Sequence, residues 1–445
     1  MNKFRNYARL LALMLIGLFI FSCSDEDLIN DLSENQVSET NVSLDLAKRV
    51  ALNFTKDDAF IEKPTKEFLS YRKGNTAKST IPLPGFEEKD IDNIIIIPDE
   101  QGSPAMYVVT FSPNGYIIIS ATKKESPILG FSSNSSFDFD NLPLGLAEWL
   151  VGRMDKIQTL KYSKDIEIPT EIENEWVQRA PPMDEEVIVS GGTEHNQVGP
   201  LLQTIWGQGV GYNNLAPNMS CSDYSNGRAP TGCVATAVAQ VMRYHQHPSN
   251  YNWSIMPNII WSWQSNTSGA QEVSTLMYNI GNNISMSYSC NGSGAKTENA
   301  KNALINNFGY SNSARYVDYS DNSVVIELNN QRPVIMDGYH TEYTTGWWIF
   351  KKTHRRNGHA WVCDGWRETL YKTIHNPGTI YEYTTSTSSG KFLHMNWGWN
   401  GTGMGSNNNN GWFKYNDFQI DGVTIEGANA DYQYKKRMII GIKPN

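Results

Sequence analysis

Cys233 follows Gly232 and opens an alanine-rich stretch, Cys233-Val234-Ala235-Thr236-Ala237-Val238-Ala239-Gln240-Val241-Met242. Apolar residues at Val234, Val238 and Val241 predict a helix buried on one face. The sulfur then sits at a helix N-terminus, where unpaired N–H groups favour a thiolate. Two later segments supply what such a sulfur needs, Gly358-His359-Ala360-Trp361-Val362 and His394-Met395-Asn396-Trp397-Gly398-Trp399. In that order a cysteine attacks, an imidazole takes and returns its proton, and an amide holds the ring in one tautomer.

His359 is one of eight histidines. The alternation Ala360-Trp361-Val362-Cys363-Asp364 predicts a strand that delivers its ring to a cleft. Asn396 comes 37 residues later, room for a return strand, and its amide oxygen is expected to accept the second ring N–H. Trp397 and Trp399 read as the apolar cover of that bond. Gln208, in Trp206-Gly207-Gln208-Gly209, lies 25 residues before the thiol. With the backbone N–H of Cys233 it is a candidate oxyanion donor, a contribution typically worth about 2.7–4 kcal/mol. His245 and His247 close the Cys233 helix, about three turns from the sulfur and too far to take its proton. His340, His354, His375 and His394 read as ordinary polar or core positions. Each candidate has a plainer reading: a small buried cysteine, a core asparagine between tryptophans, a glutamine in a surface turn. The combination decides for chemistry.

The elements that must position these groups begin with Ser43 as an N-cap and Leu46, Val50 and Phe54 at helical spacing. Ile94 to Ile97 predicts a strand, and Met106–Phe111 pairs with Tyr116–Ala121 across Pro113-Asn114-Gly115 as a hairpin. A helix is predicted over 143–160, with Leu146, Trp149, Leu150, Met154 and Ile157 on one face. Residues 42–165 thus form a small α+β unit, after a polar tether at 24–41. Residues 166–198, with Pro169, Pro181, Pro182 and Gly191-Gly192, read as an exposed, cleavable connector. Residues 199–445 form a second domain with helices at Cys233 and at 300–308, followed by strands. Ser406-Asn407-Asn408-Asn409-Asn410-Gly411 reads as a mobile loop.

A chain of 445 residues supports two or three cores without covalent staples. Of 37 Lys+Arg and 46 Asp+Glu, 18 and 16 fall from Ser190 onward, so the first 189 residues hold 19 against 30 and carry all the acidic excess behind the net charge of -9. A basic nucleic-acid footprint is absent. No paired Cys-x-x-Cys or comparable ligand cluster asks for a metal, and no cofactor is implied. Five cysteines, Cys23, Cys221, Cys233, Cys290 and Cys363, leave at least one unpaired. Cys363 reads as a buried apolar residue, and Cys221 and Cys290 lie in loops that could bridge in an oxidising compartment. Lys3, Arg5 and Arg9 precede an apolar run from Leu10 to Phe21, the pattern of a secretory signal too short to span a bilayer.

The chain resembles the streptopain-like cysteine peptidases, secreted papain-like enzymes made as zymogens. The resemblance rests on Tyr212-Asn213, Thr231-Gly232-Cys233-Val234-Ala235-Thr236-Ala237, Met242-Arg243-Tyr244-His245, Asn307-Phe308-Gly309-Tyr310, Arg332-Pro333-Val334, Gly358-His359-Ala360, Asn396-Trp397-Gly398-Trp399 and Gly441-Ile442-Lys443-Pro444. It implies an α+β papain-like peptidase domain, a helical part plus an antiparallel sheet, behind a smaller α+β propeptide that inhibits it intramolecularly. It further implies Cys233 as nucleophile, His359 as base, Gln208 as oxyanion donor, Asn396 with Trp397 as the orienting pair, and protein or peptide substrates. The stretch Gly403–Gly411 departs from the family and is a candidate for reshaping the cleft, and Lys351–Arg356 reads as a solvated loop or a specificity loop. Phe21-Ser22-Cys23 resembles a bacterial lipobox, which implies lipidation of Cys23 and membrane attachment through that lipid; a plain cleaved signal is the alternative. Ser24-Asp25-Glu26-Asp27 resembles the acidic tag of surface-exported Gram-negative lipoproteins, or begins a solvated linker. An acyl-transferase on the same scaffold and a catalytically inactive surface adhesin are the rival functions.

Overall fold

The computed structural model describes residues 40–55, 90–139, 142–163, 166–180, 194–345, 352–375, 383–399, 408–414 and 434–445. The signal segment, Cys23 and most of the tether lie outside them. Two compact units divide the chain, one of Met1–Ser133, Arg153–Gly192 and Tyr371–Ser388, the other of Asn134–Gly152, Thr193–Leu370 and Ser389–Asn445.

The first unit starts with α1 (Leu44–Thr55), whose Ala47, Val50, Ala51 and Phe54 are buried as the spacing requires. Ser43 caps it, its hydroxyl accepting the Leu46 N–H at 3.2 Å. Strands β1 (Asp90–Pro98), β2 (Pro104–Ser112), β3 (Tyr116–Ser120) and β4 (Ile128–Ser132) follow as an antiparallel meander. Thr110 pairs with Tyr116, so Pro113-Asn114-Gly115 makes the expected turn. Phe54 meets Phe131 edge-on at 4.9 Å between centroids, which seats α1 on the sheet. Helix α2 (Leu144–Tyr162) gives its second half to this unit. There Lys156 and Arg153 pair with buried Glu125, and Lys161 with Asp99 at 2.9 Å.

The expected connector is not wholly exposed. Residues Thr170–Arg179 form helix α3, with Pro169 at its N-cap position and Glu171 and Glu173 in its first turn. Buried Trp176 donates its indole N–H to the Glu125 carbonyl at 2.8 Å, and Asn53 donates to the Arg179 carbonyl at 3.0 Å. Proline here starts a helix rather than breaking structure. Pro181, Pro182 and Gly191-Gly192 lie outside the described residues.

In the second unit β5 (Glu194–Val198) pairs antiparallel with a later strand. Helices α4 (Cys233–His245), α5 (Ser268–Asn283) and α6 (Thr297–Asn306) pack around Val234, Val238, Val241, Leu276, Ile280 and Leu304. Sequence reading did not anticipate α5, although Thr267 caps it and Ala270, Val273, Leu276, Met277 and Ile280 line its buried face. Next come β6 (Arg315–Asp318), the unanticipated α7 (Asp321–Asn329), β7 (Val334–Thr345), β8 (Lys352–His375), β9 (Tyr383–Asn396), β10 (Gly411–Lys414) and β11 (Tyr434–Ile440), of which Tyr371–His375 of β8 and Tyr383–Ser388 of β9 count with the first unit. Their order in the sheet is β10-β9-β8-β7-β11-β6, with β5 also on β8. Lys352–Arg356 therefore runs within a strand paired to β7 rather than in a specificity loop. An α+β architecture with a helical part and an antiparallel sheet results.

Cys221 and Cys290 form a disulfide with Cα atoms 5.2 Å apart, 69 residues apart in sequence. Cys363 is buried and free, as expected of an apolar filler. Closing a loop of that length removes entropy from the unfolded chain. Replacing both Cys221 and Cys290 by Ser should therefore lower the stability of the second unit by about 2–4 kcal/mol, read from denaturant midpoints. An unchanged midpoint would assign the bridge no part in stability.

Candidate active site

Gly232 holds φ at 89°, which turns the chain into α4 and leaves that helix with no side-chain cap. The first N–H groups of α4 therefore face the sulfur rather than a capping oxygen. A Cβ on Gly232 would stand 2.8 Å from the Met286 sulfur, so the position excludes a side chain as well.

Cys233 is partly exposed as a residue, but its sulfur lies among packed neighbours. Burial pushes its thiol pKa up. Hydrogen bonds from the backbone of Ala360, Val234 and Cys233 itself oppose that, and the Asp337 carboxylate adds to it. The contact with Ala360 brings Cys233 beside His359, the preceding residue on β8. The expected pair therefore shares one site, but in an uncharged state.

The His359 ring donates from Nε2 to the Trp397 carbonyl at 3.3 Å, because a carbonyl only accepts. That bond fixes the tautomer and leaves the Nδ1 lone pair as the proton acceptor. Burial drives the His359 pKa down to about 4, offset in part by this hydrogen bond. The ring also stacks on Trp361, with centroids 6.1 Å apart.

The bond expected from His359 to Asn396 is not formed. Asn396 Oδ1 accepts instead from Gln240 Nε2 at 3.1 Å and from the Gly398 N–H at 3.2 Å, while its Nδ2 donates to the Thr204 carbonyl at 2.7 Å. Both lone pairs of the oxygen are taken. Trp397 is fully buried, packed on Trp361 and Phe413, so it covers this region as anticipated, while its backbone carbonyl meets the ring. Gln208 is half-buried, and its carbonyl accepts the Thr231 N–H at 3.0 Å. Its backbone therefore runs beside the entry to α4. His245 ends α4 as expected and bonds Tyr310, and His394 pairs with buried Asp364 at 2.7 Å.

Residues 134–152 also belong to this unit, and the start of α2 lies on the site. A Cβ at Gly145 would stand 2.8 Å from His359 Cδ2 and 2.7 Å from Trp397 Cε3. Trp149, one turn on, meets Phe413 edge-on at 5.1 Å, and Phe413 in turn meets Trp397. The asparagine tract was expected to be mobile, yet Asn408, Asn409 and Asn410 are buried. Asn408 Oδ1 accepts from the Ser135 hydroxyl at 3.2 Å, Asn409 Oδ1 from the Asp138 N–H at 3.0 Å, and Asn410 Oδ1 from the Trp397 N–H at 3.0 Å. Residues 400–407 of that loop lie outside the described residues.

Sequence reasoning missed Gly145, Gln240, Asp337 and these asparagines. Thr236 and Gln240, the polar residues inside an Ala/Val-rich helix, were the one signal available. Asp337 lies opposite Ala360 in the β7–β8 register, and Tyr316 donates to it at 2.7 Å. Burial raises the Asp337 pKa, against hydrogen bonds from Thr297 and Tyr316 and the charge of Arg437.

Residues 206–250 and 249–413 match the model of the Peptidase C10 family, and residues 39–156 match that of the Spi protease inhibitor. Streptopain of Streptococcus pyogenes is 25% identical over 414 residues, 82% of this chain and 87% of its own. The thiol protease/hemagglutinin PrtT of Porphyromonas gingivalis is 26% identical over 285 residues, 57% of this chain and 30% of that protein. A solved fragment of prointerpain A from Prevotella intermedia shares the fold, with a TM-score of 0.50 at 22% identity over 79% of this chain and 100% of the fragment. A thiol at an uncapped helix start, a histidine beside it and an inhibitor-like segment ahead of both agree with these likenesses: the chain is a streptopain-like cysteine peptidase, carrying its own propeptide.

Proposed function

We propose that the chain is an exported cysteine endopeptidase in its latent form, with Cys233 as nucleophile and His359 as general base. The observation that carries this reading is the junction of Cys233 with the Ala360 backbone, beside a ring whose Nε2 is committed to a carbonyl. In hydrolysis the sulfur bonds to the scissile carbonyl carbon while Nδ1 takes the thiol proton. That proton passes to the leaving amine as the C–N bond breaks. Water then attacks the thioester, giving its proton to the same ring, and the thiol is restored. The Cys233 N–H and the Gln208 amide are the donors available for the transient oxyanion. Asn396 acts in this reading by holding the Trp397 peptide, since its oxygen has no lone pair left for the ring.

Latency follows from the same physics. A thiolate–imidazolium pair needs solvation or strong partners, and the start of α2 covers the ring. Both groups are then held neutral, the thiol by an elevated pKa and the imidazole by a depressed one. Removing the cover relaxes the two in opposite directions toward the ion pair. Residues 42–165 serve as the propeptide and 166–198 hold the processing site. The signal-like start and Cys23 support export and lipid anchoring at the cell surface of a Gram-negative bacterium.

Cys233→Ala in the full chain should abolish peptide hydrolysis and self-processing with no change in circular dichroism. Cleavage of an unstructured protein by the purified variant would overturn the assignment. Gly145→Val crowds the His359 and Trp397 rings, an overpacking worth about 1–3 kcal/mol. Alkylation of Cys233 by iodoacetamide in the full chain, followed by mass spectrometry, should then run about tenfold faster or more than in wild type. Equal rates would mean that α2 is not the cover.

The depressed pKa of His359 also fixes an acid sensitivity. The unfolded ring takes its proton near 6.5 and the folded one only near about 4, so the contribution is complete above pH 6.5 and lost as pH falls toward 4. It is on the order of 3 kcal/mol, and His245, likewise lowered to about 4, adds with the same sign. Urea midpoints of the Cys233→Ala chain should drop between neutral and acid pH, and His359→Gln should shrink the drop. A drop that His359→Gln leaves untouched would contradict the buried neutral ring.

A further inference from the structure

Helix α4 is apolar along its buried length except for Thr236 and Gln240, at three and seven residues beyond Cys233. That spacing puts all three on one stripe. Gln240 is fully buried, and each of its hydrogen bonds reaches a segment that flanks the site. Its Oε1 accepts from the Thr204 hydroxyl at 3.0 Å and from the Trp206 N–H at 3.1 Å, two residues before Gln208. Its Nε2 donates to Asn396 Oδ1 at 3.1 Å, one residue before Trp397.

Backbone groups fix the sense of this network. The Trp206 N–H only donates, so the Gln240 atom facing it is the oxygen and the atom facing Asn396 is the nitrogen. The Thr204 carbonyl only accepts, so Asn396 turns its nitrogen there and its oxygen toward Gln240 and the Gly398 N–H. Gln240, Asn396 and Thr204 close a ring of three hydrogen bonds in which no group can reverse without leaving a buried donor facing a donor.

We infer that Gln240 is a positioning residue of the peptidase site: its carboxamide sets the spacing between the Cys233 helix, the Gln208 segment and the Trp397 carbonyl that orients His359. Gln240 ties two neighbouring segments, from the nucleophile's own helix. The inference rests on the reading of Cys233 and His359 as nucleophile and base.

The test uses the processed enzyme and an unstructured protein substrate, with Gln240→Glu and Gln240→Met. Gln240→Glu keeps both acceptors for Thr204 and Trp206 but loses the donor to Asn396 when ionised. Its kcat should fall about tenfold to a hundredfold at alkaline pH, the rate equivalent of one unpaired buried acceptor. KM should stay nearly constant, and kcat relative to wild type should recover as pH falls and the acid form donates again. Gln240→Met should lose kcat without that recovery. Folded variants with wild-type kcat, or a loss in Gln240→Glu that ignores pH, would overturn the inference. Failure of both to fold, seen by circular dichroism, would assign Gln240 to folding and overturn it too. Wild-type activity that survives Cys233→Ala would instead defeat the underlying assignment of the nucleophile, whatever Gln240 does.

Discussion

A thiol and an imidazole become nucleophile and base by carrying opposite charges, and burial opposes both charges at once. This one conflict organises the second unit. The uncapped start of α4 offers its N–H groups to the sulfur, yet desolvation outweighs them and the thiol pKa rises. His359 feels the same burial with opposite sign and is pushed down to about 4. The helix terminus supplies a fraction of a charge at short range, whereas stripping water from a full charge costs several kcal/mol unless a partner replaces it. The covered site is therefore neutral for a physical reason.

The scaffold answers by fixing geometry rather than charge. His359 and Asn396 stand on neighbouring strands, β8 and β9, and the ring finds a backbone carbonyl instead of the asparagine side chain. A peptide carbonyl is a good orienting partner, since it never titrates and its direction is set by two flanking residues. Asn396 accepts from the Gly398 N–H of that same peptide, and Asn410 from the Trp397 N–H of the peptide before it, and together they hold that direction. The polar stripe of α4 carries the constraint back to the helix that bears the sulfur.

Local pattern made much of this legible. Helices α1, α2 and α4 and the β2–β3 hairpin follow from apolar spacing, caps and a Pro-Asn-Gly turn, all within a few residues. Cys233 was readable because it opens α4, and His359 because the alternation after it marks a strand, although β8 begins seven residues before it, at Lys352. The partner of the ring was not: Asn396 and the Trp397 carbonyl are neighbours in sequence, and only the competition from Gln240 and Gly398 decides between them. Helix α3 was hidden because Pro169 and Glu171 read equally well as a connector, until Trp176 finds the Glu125 carbonyl far away in sequence. The asparagine tract misled for a related reason. Asparagine favours loops when its amide meets water, and Asn408 to Asn410 meet protein groups instead.

In the reading proposed, those asparagines also make the cover and the base parts of one construction. Asn408 and Asn409 accept from Ser135 and Asp138 of the covering segment, while the adjoining Asn410 accepts from the N–H of Trp397, whose carbonyl holds His359. Gly145 lies on the two rings themselves. A cover bonded only to the rim of a cleft would block substrate and leave the base unchanged. Here the covering segment shares a three-residue anchor with the peptide that orients the ring, so its departure alters the solvation of His359 and frees two of the three asparagines beside Trp397 in a single event. In the reading proposed, latency is then a property of the base's surroundings as much as of access to the sulfur, and propeptide release and charge separation become one step.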